Sequence, residues 1–254
     1  MPVLFIGHGS PMNALEDNQY TQKWQEIASE IPTPRAILAI SAHWYIDELA
    51  ITAKAHNQTI HDFRGFPSQL HNFDYPSDGN KQLAAEIGKL LDNLPISYNS
   101  NWGIDHGVWS ILCHMYPNTN IPILQLSIKR DQTADWHFNL GTQLQKLREQ
   151  NVLILASGNI VHNLMQINWN MPQTGFDWAT EFDNKIASLV KEQRYSEILE
   201  YQKINNYKLA IPTDEHFLPL IYALGAASNS TPTQIFNQQT IYGSLSMTSF
   251  IFTN

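Results

Sequence analysis

Three short apolar segments of this sequence are each followed by a turn that carries a histidine. The three pairs of segment and histidine are residues 3–6 (VLFI) with His8, residues 35–41 (RAILAIS) with His43, and residues 151–157 (NVLILAS) with His162. Uninterrupted apolar runs of this length are typical of strands that are buried on both faces of a parallel sheet. Because open α/β sheets bind ligands at the carboxyl ends of their strands, the pattern predicts one crevice with converging imidazoles.

The rest of the sequence alternates between helical and strand patterns. Helices are predicted at residues 14–31, 78–91, 105–115, 134–149, 176–192, 195–201 and 217–224, and further strands at residues 49–55, 96–98 and 121–128. Residues 234–252 alternate apolar and polar side chains, which predicts an antiparallel hairpin that closes the sheet. Residues 56–76 form a long irregular segment, and loops of that length are usually functional or act as lids. The order of elements predicts one α/β domain over residues 1–254, with a mostly parallel central sheet flanked by helices.

Composition narrows the class of protein. The 254 residues suffice for a large core in one domain, and 15 Lys and Arg against 23 Asp and Glu argue against nucleic-acid binding. No segment approaches the roughly 20 apolar residues of a membrane span, and Gly7 interrupts an N-terminal apolar run that lacks a basic region, so a cytoplasmic protein is predicted. The single cysteine, Cys113, excludes an internal disulfide and a thiolate metal cluster. A transition metal in this chain must therefore be held by histidine and carboxylate.

The placement of the histidines favours a metal centre. Three histidines at matching strand ends are unexpected if each has an independent structural role. His216 stands beside Asp214 and Glu215 at a helix start, where it is either a further ligand or a solvated residue of the first turn. His106 is at the start of another helix, where the helix dipole disfavours a charged imidazole. It is predicted to be neutral and to face a substrate oxygen, although a plain surface position gives the same pattern.

The irregular segment and the remaining motifs are less informative. His61 with Asp62 is a candidate substrate contact and Arg64 a candidate partner for an anionic group, but these residues also fit ordinary loop positions. Residues 7–10 (GHGS) lack the glycine spacing and the lysine of a phosphate-binding loop. Ser157 is not in a Gly-x-Ser-x-Gly turn, which argues against a serine hydrolase. The sequence also has no His-Glu-x-x-His motif of the common metalloproteases.

Six ordered motifs carry a resemblance that spans nearly the whole chain. They are GHGSPMN at 7–13, SAHW at 41–44, IHDF at 60–63, DHG at 105–107, ASGNIVHNL at 156–164 and PTDEHFLPL at 212–220. In this set the chain resembles the class III extradiol ring-cleavage dioxygenases of the LigB superfamily, in the branch similar to 4,5-DOPA extradiol dioxygenases. The resemblance implies a single α/β domain with one mononuclear divalent metal, which is Fe(II) in active dioxygenases and often Zn(II) in isolated proteins.

The resemblance also implies roles for five histidines. His8, His43 and His216 match metal-binding positions, and His106 matches a substrate-facing histidine. His162 matches a position that is counted either as a fourth ligand or as the acid/base beside the metal. Other members of the superfamily use two histidines and one carboxylate, the arrangement of many non-haem iron oxygenases. Here His216 stands at the matching position with Glu215 next to it, so the charge of the site is open.

These roles predict a reaction with a small aromatic diol and dioxygen. A DOPA-like catechol is expected to lose a proton to His162 or His106 and to open into a semialdehyde. Two functions of other classes remain open from the sequence. A zinc-dependent hydrolase would use the same imidazoles, and a non-catalytic binding protein would use the same crevice to recognise a small molecule or a peptide.

Overall fold

The structure is a computed structural model that describes residues 1–91, 93–118, 120–228 and 232–253. The helices are α1 Gln19–Glu30, α2 Ser68–His71, α3 Lys81–Leu90, α4 His106–Met115, α5 Ala134–Leu144, α6 Lys146–Glu149, α7 Asp177–Lys191, α8 Tyr195–Leu199, α9 Tyr207–Ala210 and α10 Leu218–Ala226. The strands are β1 Val3–Gly7, β2 Ala36–Ile46, β3 Leu49–Thr52, β4 His56–Asn57, β5 Ser77–Asp78, β6 Ile96–Asn99, β7 Ile123–Lys129, β8 Val152–Gly158, β9 Pro232–Phe236, β10 Thr240–Ile241, β11 Leu245–Ser246 and β12 Ser249–Phe252.

Eight strands form one sheet in the order β6-β3-β7-β2-β8-β1-β12-β9. The central strands β7, β2, β8 and β1 are parallel to one another. On one side, β12 pairs antiparallel with β1 and β9 pairs antiparallel with β12. The predicted α/β class with a mostly parallel sheet is confirmed, and the C-terminal strands close the sheet in the antiparallel sense that the alternating pattern indicated.

Alternate residues of the central strands point to opposite faces of the sheet. In β1, Val3 and Phe5 join the core with α5, α7 and α10, whereas Leu4 and Ile6 join the core with α1 and α4. All four side chains have no exposed surface. A strand that is covered by helices on both faces needs apolar residues at every position, which explains the uninterrupted apolar run.

Strand β2 is longer than the predicted segment at residues 35–41. It continues to Ile46, so that His43 lies within the strand rather than after it. The pairing of β2 with β7 shifts register between Ile40 and Tyr45. An extra residue in a strand bends it and re-aims its side chains, and the polar Ser41 and His43 lie in this irregular part. The apolar pattern could not reveal this irregular end of β2, because the uninterrupted apolar run stops before it.

Two predicted helices are divided in the structure. Residues 14–31 contain part of a 3-10 turn at Pro11–Leu15 and then helix α1. The side chain of Asn18 accepts hydrogen bonds from the backbone N–H groups of Tyr20 and Thr21, which starts α1 at Gln19. Residues 134–149 form α5 and the short α6. Among the described residues, no helix combines the length and the apolarity that crossing a membrane requires.

Candidate metal centre and cleft

The carboxyl edge of the central strands gathers three imidazoles. His8 directly follows β1, His43 belongs to the irregular end of β2, and His216 ends a 3-10 turn, Asp214–His216, that precedes α10. One ring nitrogen of each lies within 4.8 Å of the corresponding atoms of the other two. The structure thus brings together two of the three strand-end histidines and the late His216 around one point.

A close backbone contact places His216 at this edge. A Cβ atom on Gly158, the last residue of β8, would lie 2.2 Å from the carbonyl oxygen of His216. The N–H of Asn159 donates a hydrogen bond of 2.8 Å to that same carbonyl. Because only glycine permits this approach, the end of β8 fixes the backbone of a residue that is almost sixty positions away in the chain.

The proton of His8 is fixed on Nδ1 by a serine. Ser157 donates its hydroxyl proton to the carbonyl oxygen of Gly107 at 2.5 Å. A hydroxyl has one proton, so its contact of 2.9 Å with His8 Nδ1 requires that the imidazole donates. The Nε2 atom of His8 therefore carries a lone pair, and it points into the site.

His43 has the same orientation through a different partner. Its Nδ1 atom lies 3.0 Å from Oδ2 of Asp62, a carboxylate that only accepts hydrogen bonds when ionised. Burial lowers the pKa of His43, but the hydrogen bond with Asp62 and the charges of Asp105 and Asp62 outweigh burial, so that the pKa is raised. Its Nε2 atom lies 3.2 Å from Nε2 of His8.

His216 completes the set with an unpartnered nitrogen. Its Nδ1 atom is 3.3 Å from Oε1 of Glu215, a longer contact than those of the other two. The buried Nε2 atom has no hydrogen-bond partner among the described residues. Burial and then the charges of His162, His43 and His106 lower the pKa of His216 well below its usual value. Burial and then the charges of His43, His216, His106 and His162 likewise lower the pKa of His8 well below its usual value.

These observations fit a bound divalent cation. His8 and His43 direct Nε2 lone pairs toward each other at 3.2 Å, and two nitrogens that bind one zinc ion at about 2.1 Å and a right to tetrahedral angle lie about 3.0 to 3.4 Å apart. An unpartnered buried nitrogen, such as Nε2 of His216, is costly unless something binds it. Metal-bound imidazoles are also neutral and usually donate their other N–H to an oxygen, as His8 and His43 do here.

His162 lies beside this centre in a different way. Its ring stacks on that of His216, with centroids 3.4 Å apart and an angle of 4° between the planes. Burial and then the charge of His43 lower the pKa of His162 to about 4. The geometry thus separates His162 from the three converging nitrogens and leaves its ring facing the cleft.

His106 begins helix α4 and lies beside His43 at the same centre. Its ring centroid is 3.9 Å from that of His43. Both its Nδ1 atom and its backbone N–H contact Oδ1 of Asp62, at 2.8 Å and 3.2 Å. Burial and then the charge of His43 lower its pKa, against the opposing effect of Asp62, so a neutral ring agrees with the expectation from the helix dipole.

A cleft of about 960 Å³ opens above the five histidines 8, 43, 106, 162 and 216. Its walls include aromatic rings and one cation, namely Tyr20, Phe63, Phe66, Tyr242 and Arg64. The structure does not bring His61 to this wall. Its Nε2 atom contacts the carbonyl oxygen of Phe73 at 2.8 Å, and its ring lies 5.8 Å from that of Trp109.

Sequence reasoning named Asp62 together with His61 as a candidate substrate contact, and did not connect it to the other histidines. Asp62 contacts two of the five histidines, and Ser157, considered only as a nucleophile, orients a third. In the structure, Asp62, Phe63 and Arg64 all line the cleft, whereas His61 contacts the carbonyl oxygen of Phe73. This segment is irregular, so the sequence carried no periodic signal that separates Asp62 from His61.

Comparisons with known proteins identify the class. A family model described as the catalytic LigB subunit of aromatic ring-opening dioxygenase matches residues 2–252. A 4,5-DOPA dioxygenase extradiol of Escherichia coli is 42% identical over 98% of this chain and 93% of its own length. The protein of that name from Beta vulgaris is 36% identical over 98% of this chain and 96% of its own length.

The fold comparison agrees with the sequence comparisons. The crystal structure of an uncharacterized Escherichia coli protein superposes with a TM-score of 0.85 at 37% identity, over 100% of both chains. The chain belongs to the LigB family of aromatic ring-opening dioxygenases. Membership and the curated relatives support extradiol cleavage of a catechol as its enzymatic activity, and dioxygenases of this family depend on a metal. The predicted resemblance is thereby confirmed.

Proposed function

We propose that the chain is one catalytic domain that opens the ring of a DOPA-like catechol with dioxygen. The support is the convergence of one ring nitrogen each of His8, His43 and His216, which lie within 4.8 Å of one another. These three residues would hold one divalent ion, with Fe(II) as the active metal and Zn(II) as a competitor in isolated protein. When bound, the ion supplies Lewis acidity to the two catechol oxygens and, as iron, the redox chemistry of dioxygen activation.

The remaining residues of the cleft handle the substrate. The ring of His162 is stacked on His216 and lines the cleft, and it would accept the proton of a catechol hydroxyl there. His106 presents Nε2 to the cleft because its Nδ1 atom is bonded to Asp62. It would hold the second hydroxyl. His162 would return the proton to the departing oxygen as its bond breaks, and the ring-opened product would be a semialdehyde.

The outer part of the cleft suits the amino-acid side chain of DOPA. No ion pair joins Arg64 to a described carboxylate, and the residue lines the cleft. We infer that its guanidinium contacts an anionic group of the substrate. His61, expected to bind substrate, bonds instead to the carbonyl of Phe73 in the structure, so a substrate contact would require this loop to move.

A metal-loading experiment tests the proposal. The metal-free protein is loaded with Fe(II) without oxygen, mixed with L-DOPA and then exposed to air. Consumption of dioxygen together with a yellow product is expected, and the Zn(II)-loaded protein should consume none. If catechols are not opened by protein that demonstrably contains iron, the proposed function is wrong.

Replacement of His162 by phenylalanine separates the two roles of that residue. Because its ring stacks on His216 rather than converging with the other nitrogens, we expect His162→Phe to retain metal and lose turnover. General acid/base groups contribute about 100-fold to 10,000-fold, so a loss in that range is expected. Loss of the metal itself would make His162 a fourth ligand.

A second candidate function is favoured by the same three nitrogens. An all-imidazole set is the ligand set of hydrolytic zinc sites such as that of carbonic anhydrase, and the geometry here differs from the two-histidine, one-carboxylate arrangement. A zinc-dependent hydrolase predicts activity of the Zn(II)-loaded protein that does not respond to oxygen. Assay of ester and amide substrates under nitrogen distinguishes the two functions.

A further inference from the structure

Asp62 joins two histidines that have different expected roles. Its Oδ2 atom lies 3.0 Å from Nδ1 of His43, and its Oδ1 atom lies 2.8 Å from Nδ1 of His106. Each carboxylate oxygen therefore contacts one imidazole, and the two rings lie side by side with centroids 3.9 Å apart. The side chain of Asp62 is 19% exposed, although it belongs to an irregular loop.

Three donors define the state of this carboxylate. Besides the two imidazoles, the backbone N–H of His106 donates to Oδ1 at 3.2 Å. His106 is the first residue of the ten-residue helix α4, so the carboxylate also lies at the positive end of the helix dipole. An ionised carboxylate has no proton to donate, and both rings must place their proton on Nδ1.

The backbone around Asp62 is fastened to α4 and to the segment before it. The N–H of Ile60 donates to the carbonyl of Ile104 at 2.8 Å, and Nε1 of Trp109 donates to the carbonyl of Ile60 at 2.9 Å. On the other side of Asp62, the ring of Phe63 meets that of His106 edge to face at 5.5 Å. These contacts give the carboxylate a fixed position relative to both histidines.

The geometry points to Asp62 as a positioning residue that fixes the tautomers of His43 and His106 together. Through His43 it directs an Nε2 lone pair to the metal position, and through His106 it directs a second lone pair into the cleft. It also places a negative charge one imidazole away from a ligand set that has none of its own. This inference depends on the metal site proposed above, and it gives Asp62 a role other than the substrate contact considered for it from the sequence.

The first test measures metal affinity. Asp62→Asn keeps the size of the side chain but leaves one acceptor oxygen for two imidazole donors. Carboxylates that orient metal ligands typically contribute about 10-fold to 100-fold in affinity, so a loss of that size is expected when Zn(II) is titrated in competition with a chromophoric chelator. Asp74→Asn is the matched control, because Asp74 is on the same loop and contacts Thr59 rather than a histidine. It should bind Zn(II) as the unchanged protein does.

The second test observes the tautomers directly. NMR spectra of protein with isotope-labelled histidine distinguish a ring protonated on Nδ1 from one protonated on Nε2, and the signals of His106 are identified by their loss in His106→Ala. The unchanged protein should show His106 protonated on Nδ1, and Asp62→Asn should shift it toward the other tautomer. If the unchanged protein shows the Nε2 tautomer, the proposal is overturned even when the variant does not fold.

His8→Ala separates this proposal from the metal site itself. If His8→Ala loses Zn(II) while Asp62→Asn keeps both its affinity and its tautomers, the metal site stands and the role of Asp62 is wrong. If His8→Ala binds Zn(II) with the same affinity as the unchanged protein, the proposed metal site is wrong. The role of Asp62 in orienting a metal ligand is then wrong too.

Discussion

Two buried histidines of this chain, His216 and His137, share one property and differ in their surroundings. In each, the Nε2 atom has no hydrogen-bond partner among the described residues. His137 lies on α5, where its Nδ1 atom contacts the hydroxyl of Tyr222 at 3.0 Å and the rings of Trp136 and Tyr222 are its aromatic neighbours. His216 instead has His8, His43 and His162 around it.

The difference shows what turns a buried imidazole into a candidate ligand. Two groups of described residues could share a metal ion, namely His8 with His43 and His216, and His43 with Asp62 and His106. Neither group includes His137. Burial lowers the pKa of His137 to about 4, and no other group contributes to that shift. A buried ring nitrogen without a partner, as in His137, therefore indicates only a cost to stability. Such a nitrogen that converges with the lone pairs of other side chains, as in His216, indicates a candidate metal site.

The largest expected effect is on metal affinity at His216. Because His216 is one of three converging ligands, His216→Ala should lower the affinity for Zn(II) by more than about 100-fold, the upper end of the loss typical of an outer partner. His137→Leu should leave the affinity unchanged. Competition with a chelator measures both, and equal losses in the two variants would remove the distinction between these histidines.

The next effect is on stability in acid, and here the informative residue is His137 rather than His216. The pKa of His137 is lower in the folded protein, at about 4, than the 6.5 of an unfolded chain. The folded state then binds fewer protons, and stability falls as the pH drops from 6.5 toward 4. For His137 alone, the free energy of unfolding should decrease by about 2 kcal/mol between pH 7 and pH 5.

Between these two pH values, the free energy of unfolding of His137→Leu should therefore decrease by about 2 kcal/mol less than that of the unchanged protein. Its stability at pH 7 should fall by about 1 kcal/mol, because the hydrogen bond with Tyr222 is lost. Urea unfolding of metal-free protein at both pH values gives the difference. A parallel pH dependence of the two proteins would show that His137 is accessible to protons in the folded state.

A smaller loss of Zn(II) affinity is expected when Ser157, whose hydroxyl orients the candidate ligand His8, is replaced. Ser157→Ala leaves Nδ1 of His8 without its partner at 2.9 Å, so its ring can adopt the tautomer that turns a proton toward the metal position. The affinity for Zn(II) should fall about 10-fold. Ser110→Ala is the matched control, because Ser110 is also fully buried and its hydroxyl has no described partner. Equal affinities of the two variants would mean that Ser157 only fills space.

The part of the site that lies on the central strands was predictable. Apolar runs fix β1 and β8, and parallel strands bring their carboxyl ends to one edge, so that His8 and His162 had to lie near each other. His216 was a weaker prediction, because its position depends on the contact of its carbonyl with Gly158. Such a contact between distant segments leaves no periodic pattern in the sequence.

The loop side of the site was not predictable in the same way. Residues 56–76 have few backbone hydrogen bonds of regular structure, apart from the short β4 and α2, so no period says which side chains face inward. The structure places Asp62 and Arg64 at the cleft and His61 against Phe73. The loop contributes specific contacts that only the folded chain reveals.

Arg64 provides the smallest expected effect and the clearest contrast with His216. It is exposed at the rim of the cleft, and an exposed ion pair contributes about 0.2–1 kcal/mol, because water screens it. Arg64→Ala should therefore raise KM for L-DOPA by about twofold to fivefold, with kcat and Zn(II) affinity unchanged. Unsubstituted catechol, which has no carboxylate, is the control substrate and should show no change in KM. A rise in KM for both substrates would mean that the guanidinium contacts the ring or shapes the cleft, and an unchanged KM for both would place the anionic group of the substrate elsewhere.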